Sequence, residues 1–299
     1  MDTHLRDLRY FVAVADELNF TRAAEHLHLS QPALSKQMRS LEAALRAELF
    51  RRDRRQVTLT AAGTVLYPLA RRLLDDWDNG IAAVADAAAQ QARLLRAGTL
   101  TSLGRALYPA VLEHFAKRQP GWRVELRSFG WHDPTAGLHD QASDVAFVWL
   151  PVGTADVDFE VLATEPRFVA ISTRHPLAGR QTVDFSEIID EPYAALPASA
   201  GPLRDFWLAA DQRAGRPARV AAEVASADEA FEIVSSGAAV TLLAEGNAIV
   251  YSRPGIACIP VTGLESARLA IAWRRTDRRA SVRDFIRACR DAAADNTQN

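Results

Sequence analysis

Six side chains between Ser30 and Arg39 are of types that can contact DNA. They are Gln31, Pro32, Ala33, Ser35, Lys36 and Arg39. Glutamine can form two hydrogen bonds with an adenine edge, and the carbon atoms of proline and alanine can meet a thymine methyl group. The serine hydroxyl and the two cationic groups can hold phosphates. The same residue types also form ordinary solvent-exposed helix faces, so this stretch alone leaves both interpretations open.

Residues for catalysis or metal binding form no recognisable pattern in the sequence. There is no G-x-S-x-G nucleophile turn, no G-x-G-x-x-G and no Walker sequence. His26 and His28 lie two positions apart and fall on different helix faces, which makes them a poor metal pair. Cys258 and Cys289 suit neither a zinc site nor a disulfide framework. We expect no enzyme activity, no metal, no cofactor and two packed thiols in a reducing cytosol, with a cysteine redox switch as the alternative.

The bulk composition is that of a globular protein with about two domains. The chain has 299 residues, of which 48% are hydrophobic and 24% are charged. Its net charge is −2, so nucleic-acid binding would depend on a local basic patch. The opening MDTHLRDLRY is too polar for a signal peptide, and no run approaches 18 apolar residues. We expect a cytoplasmic protein without membrane contact.

Three short helical patterns position the Ser30–Arg39 stretch. The first has one apolar face, formed by Leu5, Leu8, Phe11, Val12, Ala15 and Leu18. Asn19 or Thr21 can cap the second, TRAAEHL, and Ser30 can cap the third, which runs to about residue 44. Two short helices joined by a tight turn predict a helix-turn-helix, with Thr21 as a further candidate for DNA contact.

The Ser30 cap explains the proline beside it. Pro32 then lies in the first turn of the third helix, where its missing N–H has no acceptor within the helix. The apolar stripe of this helix is Leu34, Met38, Leu41 and Leu45. The candidate DNA-contacting residues fall opposite this stripe or beside it. Such a helix can enter a major groove with its N-terminus first, and this terminus also favours a phosphate.

A basic hairpin follows the third helix in FRRDRRQVTLTAAG. It carries Arg51, Arg52, Arg54 and Arg55 before an alternating strand, Val57–Thr60. Between Lys36 and Arg55 there are seven basic and three acidic residues, and 7 − 3 gives +4 in a chain of net charge −2. We predict a wing that follows the DNA backbone or enters a minor groove, with Arg52 and Arg54 among its contacts.

One continuous helical pattern occupies residues 64–91. Its apolar positions follow spacings of three and four: Leu66, Ala70, Leu73, Trp77, Ile81, Val84 and Ala88. These spacings approximate the seam of a coiled coil, and Asn79 with Gly80 can bend the helix midway. The stripe predicts either pairing with a second chain or packing within its own chain.

Alternating strand and helix patterns fill the rest of the chain and predict an α/β domain with two lobes. In open α/β sheets, ligands lie beyond the carboxyl ends of the strands. That rule nominates the loops and helix starts with Leu100, Thr101, Ser102, Gly130, Trp131, Ser199, Ala200 and Ser226. Phe147 and Trp149 could add an apolar wall, although core positions are the alternative for both. Hydroxyls and helix starts suit a small organic anion, and the rings suit an aromatic one.

The first fifth of the chain closely resembles the winged helix-turn-helix of LysR-type transcription regulators. The resemblance rests on RYFVAVA, FTRAAEHL, SQPALS, LF-R and VTLTAAG, and it extends in architecture over the whole chain. It implies an all-α winged helix-turn-helix in residues 1–63, a linker or dimerisation helix in 64–91, and a two-lobed effector domain like periplasmic binding proteins in 92–299. Arg46 departs from the family pattern, which has a glycine there, so the turn could be strained.

The resemblance also implies partners. These are double-stranded promoter DNA, a small organic effector, a second copy of the chain in a dimer or a dimer of dimers, and RNA polymerase. A binding protein for small molecules would leave residues 5–63 unexplained. An architectural DNA-binding protein would leave the roughly 200 residues of the C-terminal domain without a function. The sequence does not identify the effector.

Overall fold

The computed structural model of the chain describes residues 4–52, 57–104 and 106–297. The chain divides into two compact units, Met1–Ala88 and Ala89–Asn299. In the part of the chain so described, no helix is both long enough and apolar enough to cross a membrane.

Three helices form the body of the first unit: α1 (Leu5–Glu17), α2 (Phe20–His26) and α3 (Gln31–Leu45). Asn19 caps α2, because its side-chain oxygen accepts the backbone N–H groups of Thr21 at 2.9 Å and Arg22 at 3.2 Å. Of the two possible caps, Asn19 therefore takes this role. Thr21 keeps its side chain exposed.

The start of α3 confirms the predicted cap. The Ser30 hydroxyl accepts the N–H of Ala33 at 3.4 Å, and Pro32 lies in the first turn. Leu34, Met38 and Leu41 are buried in the core of the first unit, as the predicted stripe requires.

The predicted hairpin is present after α3. Strand β1 (Phe50–Arg52) pairs antiparallel with β2 (Val57–Leu59). Phe50 anchors the hairpin, since its ring lies 5.4 Å from that of Phe11 and 5.6 Å from that of Phe20. Arg54 lies outside the described residues.

Arg46 ends α3 in a left-handed conformation, with φ 54° and ψ 35°. The turn thus keeps the backbone shape that suits glycine, and a side chain there costs about 1–2 kcal/mol. We expect Arg46→Gly to raise the free energy of unfolding of the first unit by about 1 kcal/mol. Urea denaturation measures this change, with Arg46→Ala as the control that removes the charge but keeps the Cβ atom. Equal stability of the two variants would contradict the assignment of strain.

A single helix, α4 (Ala61–Gln91), continues through Pro68, Asn79 and Gly80. Leu66 and Ala70 pack on the core of the first unit, so the predicted seam is wrong at its beginning. Six large apolar side chains on this helix are instead exposed: Val65, Leu69, Leu73, Trp77, Ile81 and Val84. We call these six residues the α4 stripe.

The second unit contains the remaining strands and helices. Its strands are β3 (Leu94–Thr99), β4 (Arg123–Ser128), β5 (Val145–Trp149), β6 (Val157–Glu165), β7 (Arg167–Ser172), β8 (Val183–Asp184), β9 (Tyr193–Ala195), β10 (Val220–Glu223), β11 (Thr241–Ala244), β12 (Ile256–Thr262) and β13 (Ala267–Arg274). Its helices are α5 (Leu107–Arg118), α6 (Phe185–Ile188), α7 (Pro202–Trp207), α8 (Ala227–Ser236), α9 (Glu245–Val250) and α10 (Ala280–Thr297). Short 3₁₀ turns occupy Ala198–Ala200 and Ala210–Arg213.

These strands form two lobes. Lobe 1 is a five-stranded sheet in the order β4-β3-β5-β13-β6, in which β3 runs parallel to β4 and β5 while β13 runs antiparallel to its neighbours. Lobe 2 contains the sheet β11-β7-β12-β8 and the parallel pair β10-β9. The chain enters lobe 2 between β6 and β7 and returns between β12 and β13, which confirms the predicted two-lobed α/β architecture.

Arg167 holds the two crossovers side by side. Its Nε donates to the carbonyl oxygen of Glu265 at 2.8 Å, and its Nη1 donates to that of Phe206 at 2.7 Å. Its guanidinium also lies 4.3 Å from the centre of the Phe206 ring. The first crossover is therefore bonded to the second and to α7.

A buried carboxylate connects distant parts of lobe 1. Asp144 accepts hydrogen bonds from the backbone N–H of Arg96 at 2.7 Å, from its guanidinium at 2.8 Å and from that of Arg279 at 2.8 Å. Burial acts to raise the pKa of Asp144, but the bonds from Arg96 and Arg279 outweigh burial and hold the pKa below its usual value. Asp144 thus fastens β3 to the segment that leads into α10.

Candidate DNA-binding surface and effector cleft

The outer face of α3 presents most of the predicted DNA-contacting side chains to solvent. On α3, the exposed predicted residues are Gln31, Pro32, Ala33, Lys36 and Arg39. Thr21, the predicted residue on α2, is also exposed. Ser35 is different, with 7% exposure, so the prediction that it faces outward is wrong. The physical reason lies one turn earlier, where the Gln31 amide donates a hydrogen bond to the Ser35 hydroxyl at 3.1 Å. Ser35 therefore orients Gln31 at the start of the helix.

Four cationic groups of this surface have no ionic partner among the described residues. Lys36, Arg39, Arg46 and Arg51 are exposed, and none of them forms an ion pair with another described residue. The neighbouring acid Glu42 accepts the backbone N–H groups of Leu49 at 2.9 Å and Phe50 at 3.3 Å. The surface can therefore hold phosphates without first breaking ion pairs. For Arg52, the structure places the backbone in β1.

Two adjoining cavities lie in the second unit. One, the inner cavity, has a volume of about 40 Å³. Its lining residues are Leu100, Thr101, Trp131, Trp149, Leu196, Leu203, Trp207, Ala227, Phe231, Thr241, Leu242, Leu243, Asn247 and Tyr251. The other is an open cleft of about 510 Å³, which includes Ser102, Ser128, Ser226 and Asp228 in its wall. The two cavities share Leu100, Thr101, Ala227 and Tyr251 in their walls.

The structure brings five of the predicted effector residues to these cavities: Leu100, Thr101, Ser102, Trp131 and Ser226. Gly130, Ser199 and Ala200 line neither cavity. Phe147 is a core residue, with 1% exposure and its ring edge-on to Phe285 at 6.1 Å, so its prediction as a ligand wall is wrong. Phe147 and Trp149 lie two residues apart and share one face of β5. Phe147 packs against Phe285 of α10, whereas Trp149, the last residue of the strand, reaches the cavity.

Sequence reasoning missed much of the lobe 2 wall. Leu203 and Trp207 come from α7, Phe231 from α8, and Asn247 from α9. Helical spacing brings Phe231 to the same face of α8 as Ala227, which was the available signal. The short α7 has too few residues for such a pattern.

A small polar network lies at the junction of the two cavities. The Thr101 hydroxyl accepts the indole N–H of Trp149 at 3.3 Å and the side-chain amide of Asn247 at 3.4 Å. The same amide donates to the carbonyl oxygen of Ser102 at 2.8 Å, and the backbone N–H of Ser102 donates to the Tyr251 hydroxyl at 3.1 Å. The β3–α5 loop of lobe 1 is thereby bonded to α9 of lobe 2 and to the residue after it.

The helix-turn-helix with its basic outer face and the two-lobed unit with its cleft define a class: a DNA-binding regulator with a ligand-binding domain. Two family models match the chain, "Bacterial regulatory helix-turn-helix protein, lysR family" over residues 5–64 and "LysR substrate binding domain" over residues 88–294. The chain therefore belongs to the LysR family of transcription regulators, and it is not an enzyme.

Individual relatives match over nearly the full length. The Hca operon transcriptional activator HcaR of Escherichia coli is 33% identical over 301 residues, which cover 98% of this chain and 99% of HcaR. Among solved structures, a mutant of full-length BenM has a TM-score of 0.56 and 25% identity, covering 99% of this chain and 97% of BenM. A mutant of full-length OxyR from Pseudomonas aeruginosa has a TM-score of 0.52 and 26% identity, covering 98% of this chain and 100% of the OxyR chain.

Proposed function

We propose that this chain binds an interrupted palindrome in promoter DNA as a dimer or tetramer, and that an effector in the inter-lobe cleft changes its DNA contacts. The observation that carries the proposal is the exposed outer face of α3, where Lys36 and Arg39 have no ionic partner among the described residues. The same chain contains a second unit with its own cavity. Binding-site selection from random duplexes, with and without a library of metabolites, tests it. An architectural DNA-binding protein, the alternative, would bend or bind DNA identically with every metabolite.

The α4 stripe supports the dimer. Six large apolar side chains exposed along one helix form a surface that water solvates poorly, and a second copy of the helix would cover it. Two copies related by a two-fold axis would present two α3 helices to two half-sites. We also propose that the protein contacts RNA polymerase and that it acts in the cytoplasm.

Lys36 and Arg39, with Arg52 and Arg54 of the wing, would hold the DNA backbone. We expect Lys36→Ala to weaken binding to all sequences alike and to reduce the slope of log K against log salt by about one. Affinity measurements at several salt concentrations supply the slope. As a control, Lys117→Ala removes the other lysine, which lies in α5, and should leave the slope unchanged.

Gln31 would read a base edge, with Pro32, Ala33 and Thr21 beside it. We expect Gln31→Ala to relax the preference at one base position and to cost about 1–3 kcal/mol on the preferred site. Binding-site selection with both proteins provides the comparison. Ser35→Ala removes the hydroxyl that accepts the hydrogen bond from the Gln31 amide. This variant should relax the base preference at the same position, to a smaller extent. An unchanged base preference in Gln31→Ala would refute this register of α3.

The effector would act by favouring one arrangement of the lobes over another, since a ligand shifts an equilibrium only through unequal affinity for the two states. Leu100, Thr101, Ser102, Trp131 and Ser226 line the cavities where it would bind. Both lobes contribute to the inner cavity, which supports coupling between its occupancy and the separation of the lobes.

A further inference from the structure

Five aromatic rings contribute to the wall of the inner cavity. Three of the six tryptophans of the chain lie there: Trp131, Trp149 and Trp207. Trp149 and Trp207 meet edge to face with ring centroids 5.8 Å apart, one from each lobe. Phe231 and Tyr251 stack on each other at 5.2 Å and form another part of the wall. Aromatic rings gain attraction from such offset and edge-to-face contacts, so a ligand with a ring would find partners on several sides.

The wall carries no formal charge. Among the described residues that line the inner cavity, none is acidic or basic. Asp228, an acid, belongs to the open cleft. A carboxylate that left water for this cavity would lose its solvation without gaining a cation, which costs several kcal/mol. The lining therefore disfavours an anionic ligand and is compatible with a neutral one.

Thr101 supplies one directed polar group. Its oxygen already accepts two N–H groups, from Trp149 and Asn247. A hydroxyl has two acceptor positions and one donor, so the hydrogen of Thr101 remains to be donated. A ligand that reaches Thr101 is therefore recognised through an acceptor atom, such as a carbonyl or ether oxygen.

The size of the cavity connects binding to lobe movement. Its volume of about 40 Å³ is below the roughly 150 Å³ in which benzene can bind. Leu100 and Trp149 line it from lobe 1, while Leu203 and Trp207 line it from lobe 2. A ring can enter only when these walls separate, so an aromatic ligand binds a wider arrangement of the lobes better than the one described.

We propose that the effector of this regulator is a neutral aromatic molecule with a hydrogen-bond acceptor beside its ring. The ring lies between Trp149 and Trp207, and the acceptor takes the hydroxyl hydrogen of Thr101. This inference rests on the proposed function, which assigns the effector to the inter-lobe cleft. It adds the chemical class of the ligand and the direction of the lobe movement.

Four probes with one phenyl ring each test the class: acetophenone, benzoate, phenyltrimethylammonium and cumene. The full-length protein is titrated with each, and melting temperature and tryptophan fluorescence are recorded. We expect acetophenone to raise the melting temperature and to bind at least ~10-fold more tightly than benzoate. Cumene lacks an acceptor and should bind up to ~10-fold more weakly than acetophenone. Tighter binding of benzoate or of phenyltrimethylammonium, or no binding of acetophenone at millimolar concentration, would overturn the proposal.

Matched variants locate the site. Trp207→Phe should greatly reduce the fluorescence response to acetophenone, whereas Trp122→Phe, outside both cavities, should keep it. Thr101→Val should abolish the difference between acetophenone and cumene, and far-ultraviolet circular dichroism verifies that the variant is folded. An equal response of the two tryptophan variants, or a difference retained in Thr101→Val, refutes the placement. Site-selective DNA binding is measured in parallel, because its presence without acetophenone binding overturns the ligand class alone, while its absence overturns the proposed function.

Discussion

Replacement of Asp144 by alanine is expected to lower the free energy of unfolding of the second unit by about 3 kcal/mol. The variant leaves the guanidinium groups of Arg96 and Arg279 without the carboxylate that joins them, and loss of one partner from a buried ion pair typically costs 3–5 kcal/mol. We place the value at the lower end because both arginines keep some solvent exposure. Urea denaturation followed by circular dichroism supplies the measurement.

Asp140→Ala provides the control, because Asp140 is exposed and should change stability by no more than about 0.5 kcal/mol. The pKa of Asp144 is lowered in the folded protein, so its contribution is complete above the unfolded pKa of about 3.9 and is lost as the pH falls through the folded pKa. The gap between Asp144→Asn and the unchanged protein should therefore close in acid. A gap that stays constant down to the acid transition would rule out this role for the ionised carboxylate.

Ile81→Glu is expected to weaken self-association by roughly 100-fold or more. The Ile81 side chain is 53% exposed and lies in the C-terminal part of the α4 stripe, between Trp77 and Val84. In a symmetric dimer the change removes two apolar contacts and buries two carboxylates, a total of at least about 3 kcal/mol. Analytical ultracentrifugation over a concentration series measures the dissociation constant.

Ala83→Glu adds the same side chain on another side of α4, about 160° from Ile81 at 100° per residue, and should associate normally. Binding to a palindrome should fall with the association of Ile81→Glu, while binding to one half-site should not. Unchanged association in Ile81→Glu would exclude the α4 stripe as the interface.

The helices of the first unit could be predicted in detail because local chemistry determines them. Ser30, Pro32 and the stripe from Leu34 are a cap, a start signal and a periodic face within one short segment. Burial of Ser35 could not be predicted, since it depends on where the Gln31 side chain turns. The alternation of strand and helix was also predictable, but five strands of the second unit were missed: β6, β8, β9, β10 and β12. In β12, Pro260 argues against a strand interior. In β6, the alternation of Val157, Phe159 and Val161 was the signal that could have identified it.

The position of the cleft could be predicted from the sequence, whereas most of the residues that line it could not. The rule for open sheets correctly led to Thr101 and Trp131, which follow strands of lobe 1. Trp207 and Asn247 come from short helices of lobe 2 and reach the cavity through tertiary packing. No pattern within six residues could indicate that arrangement.

The position of β13 determines the order in which the protein can complete its fold on the ribosome. Lobe 2 is continuous from β7 to β12, so a growing chain contains all of it before β13 emerges. The sheet of lobe 1 cannot be completed until β13 has emerged, because β13 lies between β5 and β6 and pairs with both. Until then each of these strands has an unpaired edge, which is a template for association with other chains. Nascent chains that end before residue 267 should therefore be the ones that most need chaperones.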